Sequence, residues 1–128
     1  MEKDIITEDY VSFETSKLLA EKGFNIITEK CYILDNSGLC AVSVGQLFNG
    51  KPQGKYEIAA PTLQMAMKWL RKVHNIYIQV ELYNKHNDYC FELFRNTHRL
   101  IMEKYEIYNS YEKAVETALN YCLTNLIE

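Results

Sequence analysis

The run Ile76-Tyr77-Ile78-Gln79-Val80-Glu81-Leu82-Tyr83 alternates without a break, with Ile76, Ile78, Val80 and Leu82 on one side and Tyr77, Gln79, Glu81 and Tyr83 on the other. A period of two residues is that of a strand with one buried face. The chain must therefore contain a sheet, and something apolar must cover it. The preceding segment supplies the cover. Thr62, Ala66, Trp69, Leu70 and Val73 recur at helical spacing, while Lys68, Arg71 and Lys72 fall outside that stripe. Pro61 and Thr62 suit the start of a helix that runs to about His74. Trp69, the one tryptophan, is its largest anchor.

The rest of the chain follows the same grammar. Ser12 is a good N-cap and Gly23 a good C-terminal stop, which predicts a helix over 12–22 with the stripe Val11, Thr15, Leu18 and Leu19. The β-rich runs 26–34 and 39–46 flank Asp35-Asn36-Ser37-Gly38 and predict a hairpin. Gly50-Lys51-Pro52-Gln53-Gly54-Lys55 reads as a loop, and 56–60 as a short strand. After Tyr83 come a turn at Asn84–Asp88, a strand at Tyr89–Arg95, a turn at Asn96-Thr97-His98 and a third strand at Ile101–Tyr108. Asn109 or Ser110 caps the last helix, with Glu112 placed three residues after Asn109 as a capping box requires. Its stripe is Tyr111, Val115, Ala118, Leu119, Cys122 and Leu126.

The predicted order is α-β-β-(β)-α-β-β-β-α. Helices and antiparallel strands segregate in such a chain, so the expected fold is α+β, an antiparallel sheet with helices on one face, in a single domain over 1–128. A shift of 51 residues carries Val11, Thr15, Leu18 and Leu19 onto Thr62, Ala66, Trp69 and Leu70, and each helix then enters a hairpin. An internal helix-hairpin duplication would produce this, as would any two amphipathic units of that kind. A true duplication would pair the halves into one sheet with 76–83 near its centre.

Most chemistries find little footing. Fourteen basic and seventeen acidic residues give a net charge of -3, the opposite sign from a nucleic-acid-coating protein. The start, MEKDIITEDY, carries no apolar leader-like run and no run of 18 apolar residues follows, so the expected compartment is the cytoplasm, without a membrane span. There Cys31, Cys40, Cys90 and Cys122 would pack as thiols; Cys31 and Cys40 flank the first turn and are the pair that a hairpin could bridge. His74, His86 and His98 share no helix face and have no ligand-spaced neighbours, which gives no metal site. His74 suits the negative end of a helix dipole. Glycines 50 and 54 are too close for a phosphate loop, and Tyr56 stands where its hydroxyl residue should be. Glu103 and Glu106 are ordinary strand-end carboxylates. No cofactor and no catalytic residue is assigned, and the chain is not read as an enzyme.

Two surfaces stand out. Of ten tyrosines, Tyr77 and Tyr83, with Phe94 and Tyr108 on neighbouring strands, would lie on the sheet face away from the aliphatic residues. Such rings suit a partner surface or dimer interface, and equally serve as cross-strand packing. Lys68, Arg71 and Lys72 belong to a stretch, 51–74, with five basic residues against Glu57 alone, which makes either a basic patch or a solvated helix face.

From Thr62 onward the α-β-β-β-α order resembles a double-stranded-RNA-binding domain, including His86 in the first hairpin turn, Phe91 after it and Ser110 before Ala114. Where such a domain holds phosphate-gripping lysines, this chain has Tyr111, Glu112 and Val115, so the likeness is one of topology. A broader stretch resembles a family of small uncharacterised proteins of gut Bacteroidetes and their phages or prophages. It is carried by Val11-Ser12-Phe13-Glu14-Thr15 through Leu18-Leu19, Ala60-Pro61-Thr62 through Met67-Lys68-Trp69-Leu70-Arg71, and Tyr108-Asn109-Ser110-Tyr111-Glu112-Lys113-Ala114. That resemblance implies no activity, cofactor or catalytic residue. The expected role is a protein-interaction module, self-associating through the Tyr-rich face or a sheet edge. The alternative is a nucleic-acid-associated accessory protein of a mobile element, acting through Lys68, Arg71 and Lys72.

Overall fold

A computed structural model describes residues 6–35, 38–48, 57–100 and 106–127. The elements are α1 (Phe13–Glu21), β1 (Thr28–Asp35), β2 (Gly38–Phe48), β3 (Glu57–Ala59), α2 (Leu63–His74), β4 (Ile76–Leu82), β5 (Tyr89–Arg95), β6 (His98–Leu100) and α3 (Tyr111–Asn125). This is a mixed α+β fold in the expected order. The loop expected at 50–55 and residues 101–105 lie outside the described residues.

Local chemistry sets the helix ends. Ser12, Thr62 and Ser110 each accept a hydrogen bond from the N–H three residues on, as N-caps do. The cap of α3 is thus Ser110, and its third position is Lys113, so the Asn109–Glu112 capping box does not form. α1 closes in a Schellman motif: the Phe24 N–H donates to Leu19 O at 2.9 Å, the Gly23 N–H donates to Ala20 O at 3.2 Å, and Gly23 has φ +97°. Asn75 (φ 56°) turns α2 directly into β4, and Asn96 (φ 57°) opens a two-residue turn that pairs Arg95 with His98. A tight turn starts the next strand early, so β6 begins at His98 and not at Ile101.

The strands form two antiparallel sheets, ordered β2-β1-β3 and β4-β5-β6, and not one. The centre of the second sheet is β5, which leaves β4 at an edge. The single sheet with 76–83 near its centre, which a true duplication would give, is therefore not formed, because the halves meet through their helices and lead-in segments. Val11 N–H donates to Pro61 O at 3.0 Å and Leu63 N–H to Asp9 O at 2.9 Å, around the bridge Tyr10–Thr62. Asp9, Tyr10 and Val11 stand 52 positions before Pro61, Thr62 and Leu63, so the two bonds exchange under a local two-fold axis. The buried pairs Thr15/Ala66, Ser16/Met67 and Leu19/Leu70 keep the offset of 51. The likeness ends at the hairpins, since the first strand is central in one sheet and the second strand in the other.

The core lies between α2, α3 and the inner face of β4–β5, and reaches α1, β1 and β3. Leu19, Leu70, Ile76, Leu93, Leu119 and Leu123 are fully buried there, each contributing about 1.5–3 kcal/mol of transfer free energy. Trp69 packs edge-on against Phe24 (5.5 Å between ring centroids) and His74 (4.9 Å). The helical stripes differ in detail from the sequence reading. Leu63 and Met67 are buried on α2 while Val73 is 57% exposed, and α3 buries Ala114 and Leu123 rather than Leu126.

Candidate interaction surface

The register of β4 with β5 is unbroken, from Ile76 opposite Arg95 to Leu82 opposite Tyr89. It continues beyond the strand ends: Tyr83 N–H donates to Asp88 O at 2.6 Å, and Asn96 N–H donates to Asn75 O at 3.2 Å. Hydrogen-bonded pairs alternate along an antiparallel ladder. Odd-numbered residues of β4 thus spend their backbone groups on β5, and Ile76, Ile78, Val80 and Leu82 aim theirs at the open edge. Among the described residues no other strand pairs with that edge.

Edges are usually blunted by shortness, bulges, prolines or lysines. The β1–β2 register shifts between Thr28 and Lys30. β4 has seven residues, no irregularity, no proline and no lysine. Beside it stand three exposed apolar side chains: Leu82 (60%), Tyr83 (50%) and Tyr77 (43%). Leu82 belongs by alternation to the covered face, but it lies beyond the cover of the helices. Sequence reasoning placed it in the core and so missed it.

The structure brings together only part of the expected aromatic face. Tyr77 and Phe94 are direct cross-strand partners on the outer face, beside Arg99, which pairs with Glu92 at 3.0 Å. Tyr83 follows one residue after β4. Tyr108 lies on the opposite, helix-covered face, because it bridges to Tyr89 and stacks on Phe91 at 5.8 Å. Burial, and then a hydrogen bond and charge from Glu106, push its phenol up to about 12. On α2, Lys68 and Lys72 are exposed and Arg71 is half-buried, with no ion pair to any of the three among the described residues. The last turn of α2 carries Arg71 and Lys72, where cations offset the helix dipole.

A polar cluster that the sequence did not announce joins α1 to α3. The Glu116 Oε1 accepts from the Ser12 N–H at 2.9 Å and from the Thr15 hydroxyl at 2.6 Å, and Asn120 Nδ2 donates to Thr15 Oγ1 at 2.5 Å. Tyr32 donates to the Val11 carbonyl at 2.6 Å, and burial followed by the Glu116 charge raises its phenol above the ordinary value. The cluster caps one helix with a carboxylate from another, and its groups are consumed in doing so. A hollow of about 360 Å³ borders it, and one of about 460 Å³ lies between Tyr10, Ile27, Pro61 and Met65 with the exposed carboxylates of Glu8 and Glu29. Neither is lined by a cysteine or a histidine.

Cys122 is fully buried, and burial pushes its thiol up to about 12 against the opposing effect of Arg95, so it is protonated and no nucleophile. His74 does end α2, but burial and then Arg95 lower its pKa, which reverses the dipole expectation. Its Nε2 is buried without a hydrogen-bond partner among the described residues. His86 and His98 are exposed. Among the described residues no group of three His, Cys, Asp or Glu could hold a metal ion, and no helix is long and apolar enough to cross a membrane. In the first hairpin Cys31 faces Val42 and Cys40 faces Ile33, so the register sets the two cysteines diagonally and not opposite each other. The side chain of Cys40 lies outside the described residues.

No protein-family model, curated protein or solved structure matches the chain. At the start of α3, the positions compared above with phosphate-gripping lysines are otherwise engaged. Val115 is fully buried and Tyr111 packs edge-on against Tyr89 at 6.2 Å.

Proposed function

We propose that this chain is a small non-enzymatic protein-interaction module of the cytoplasm, akin to the small proteins of gut Bacteroidetes and their phages, and that it works by accepting a strand at the open edge of β4. One observation carries the reading: along seven regular residues, β4 aims the backbone groups of Ile76, Ile78, Val80 and Leu82 at an edge that no other strand among the described residues covers, with exposed Tyr77, Leu82 and Tyr83 beside them. Strand addition draws affinity from such backbone groups and specificity from alternate side chains. Hydrogen exchange on the 76–83 peptide tests it. These amides should be protected in the assembly recovered from cells under native conditions and exchange faster in the dilute chain. Equal rates in both states overturn the proposal.

A second reading rests on Lys68, Arg71 and Lys72, whose charges meet no acidic partner among the described residues. Under it the chain is an accessory protein that holds nucleic acid through α2. Binding would then weaken steeply with salt, with a slope of about 0.7–0.9 per phosphate contact, and Lys68→Ala would lower that slope. Binding that is absent at low salt removes this reading.

A further inference from the structure

The edge of β4 carries a symmetry in its sequence. Read outward from Val80, the sequence Tyr77-Ile78-Gln79-Val80-Glu81-Leu82-Tyr83 is a palindrome of residue character: one polar residue on each side, then one aliphatic, then one tyrosine. A strand that receives an unrelated segment has no need of such a pattern. A strand that pairs with its own copy about a two-fold axis does, because each residue then faces its mirror position.

We propose, resting on the edge-pairing function above, that β4 pairs antiparallel with β4 of a second copy, centred on Val80, to give a continuous six-stranded sheet. Backbone geometry and side-chain pattern agree on that centre. Val80, Ile78 and Leu82 are among the residues whose N–H and C=O groups point outward, so Val80 meets Val80 of the partner subunit, and Ile78 meets the partner's Leu82, as hydrogen-bonded pairs. Six backbone bonds or about that number result. Gln79 and Tyr77 then face the partner's Glu81 and Tyr83 as non-hydrogen-bonded pairs, with Cα atoms about 4.5 Å apart. No like charges oppose each other, since Glu81 meets an amide. The arrangement covers Leu82, which the monomer leaves 60% exposed, and sets the half-exposed Tyr77 and Tyr83 side by side across the seam. Centring on Gln79 also satisfies the backbone, but it sets Tyr77 against Glu81 and Tyr83 against Asn75 and loses both like-with-like contacts.

Light scattering from low micromolar to about 1 mM, where weak association is read, tests the proposal. The full chain should reach about 30 kDa, twice its 15.0 kDa. Val80→Pro removes an outward N–H that β5 does not use, a placement that edge strands tolerate. Leu82→Lys puts a charge at an exposed position. Both variants should stay at 15.0 kDa with unchanged far-ultraviolet circular dichroism. In an oxidised mixture of Tyr77→Cys and Tyr83→Cys chains, peptide mapping should find 77 joined to 83. A wild-type chain that stays monomeric throughout, or a dimer that both variants leave intact, overturns self-pairing, and a 77–77 link overturns the register. If the chain is monomeric while 76–83 is protected in the assembly from cells, self-pairing falls and the edge reading stands. If 76–83 is unprotected there too, both fall.

Discussion

Glu116→Ala is the perturbation that most directly asks whether α1 is held by α3. The carboxylate accepts from the Ser12 N–H at 2.9 Å and from the hydroxyl of Thr15, a residue with no exposed surface. A hydrogen bond to a charged group contributes about 1.5–3 kcal/mol, the exposed Ser12 bond falling at or below the lower end. A carboxylate at the positive end of α1 adds about 0.3–1 kcal/mol. Alanine also leaves the Thr15 hydroxyl without its acceptor. The Asn120 amide and the Ser12 hydroxyl still approach Thr15 Oγ1, which limits the damage. The expected loss is about 2–4 kcal/mol, a large share of the roughly 5–15 kcal/mol that holds a domain together. Glu116→Gln keeps an acceptor oxygen at the same place and should lose about 1 kcal/mol or less. Urea melts of both variants read the difference, and a cycle with Thr15→Val should show a coupling above about 0.5 kcal/mol. A Glu116→Ala loss below about 1 kcal/mol, or additive singles, would show that the cluster does not tie the two helices together.

Three further predictions follow from burial. Trp69→Ala removes a ring packed between Phe24 and His74 and should cost about 3–5 kcal/mol in denaturant melts, with a loss below about 1 kcal/mol refuting its place in the core. His74 is held below its ordinary 6.5, first by burial and then by Arg95, so the unfolded chain takes up a proton that the folded chain refuses. Stability should be complete above pH 6.5 and decline as pH falls from there toward the lower folded value, by at most about 1.4 kcal/mol per pH unit for this one proton; His74→Gln should flatten the slope, and an unchanged slope refutes the assignment. Cys122, with its thiol pushed up to about 12, should react with iodoacetamide in step with global unfolding, and labelling under native conditions as fast as that of an exposed thiol would contradict its burial.

Element types were legible because each has a period. Ile76 to Leu82 carries the alternation of a half-buried strand, and the caps Ser12, Thr62 and Ser110 carry their own hydrogen-bonding chemistry. What failed depended on neighbours. Val73 continues the α2 stripe but stands 57% exposed, since the buried face of α2 runs through Leu63, Ala66, Met67 and Leu70 to His74. The third strand was placed late because Asn96 and Thr97 alone make the turn once Asn96 adopts a positive φ. The union of α1 with α3 spans more than a hundred residues of sequence, and no local pattern encodes it.

The interaction surface shows the same limit in sharper form. Alternation tells which face of a strand is buried, not whether the strand has one neighbour or two. The sequence therefore marked Tyr77 and Tyr83 as candidates without deciding whether their strand lies at an edge or, under a true duplication, near the centre of one sheet. Two further marks, Phe94 and Tyr108, part company in the fold because Tyr108 pairs with Tyr89 and so shares its covered face. Once β4 is known to be an edge, the hydrogen-bond parity set by Tyr83–Asp88 and Asn75–Asn96 decides which backbone groups point outward. Only then does the palindrome about Val80 acquire meaning. The same seven residues inside a sheet would be a pattern without a partner, and at an open edge they specify a register.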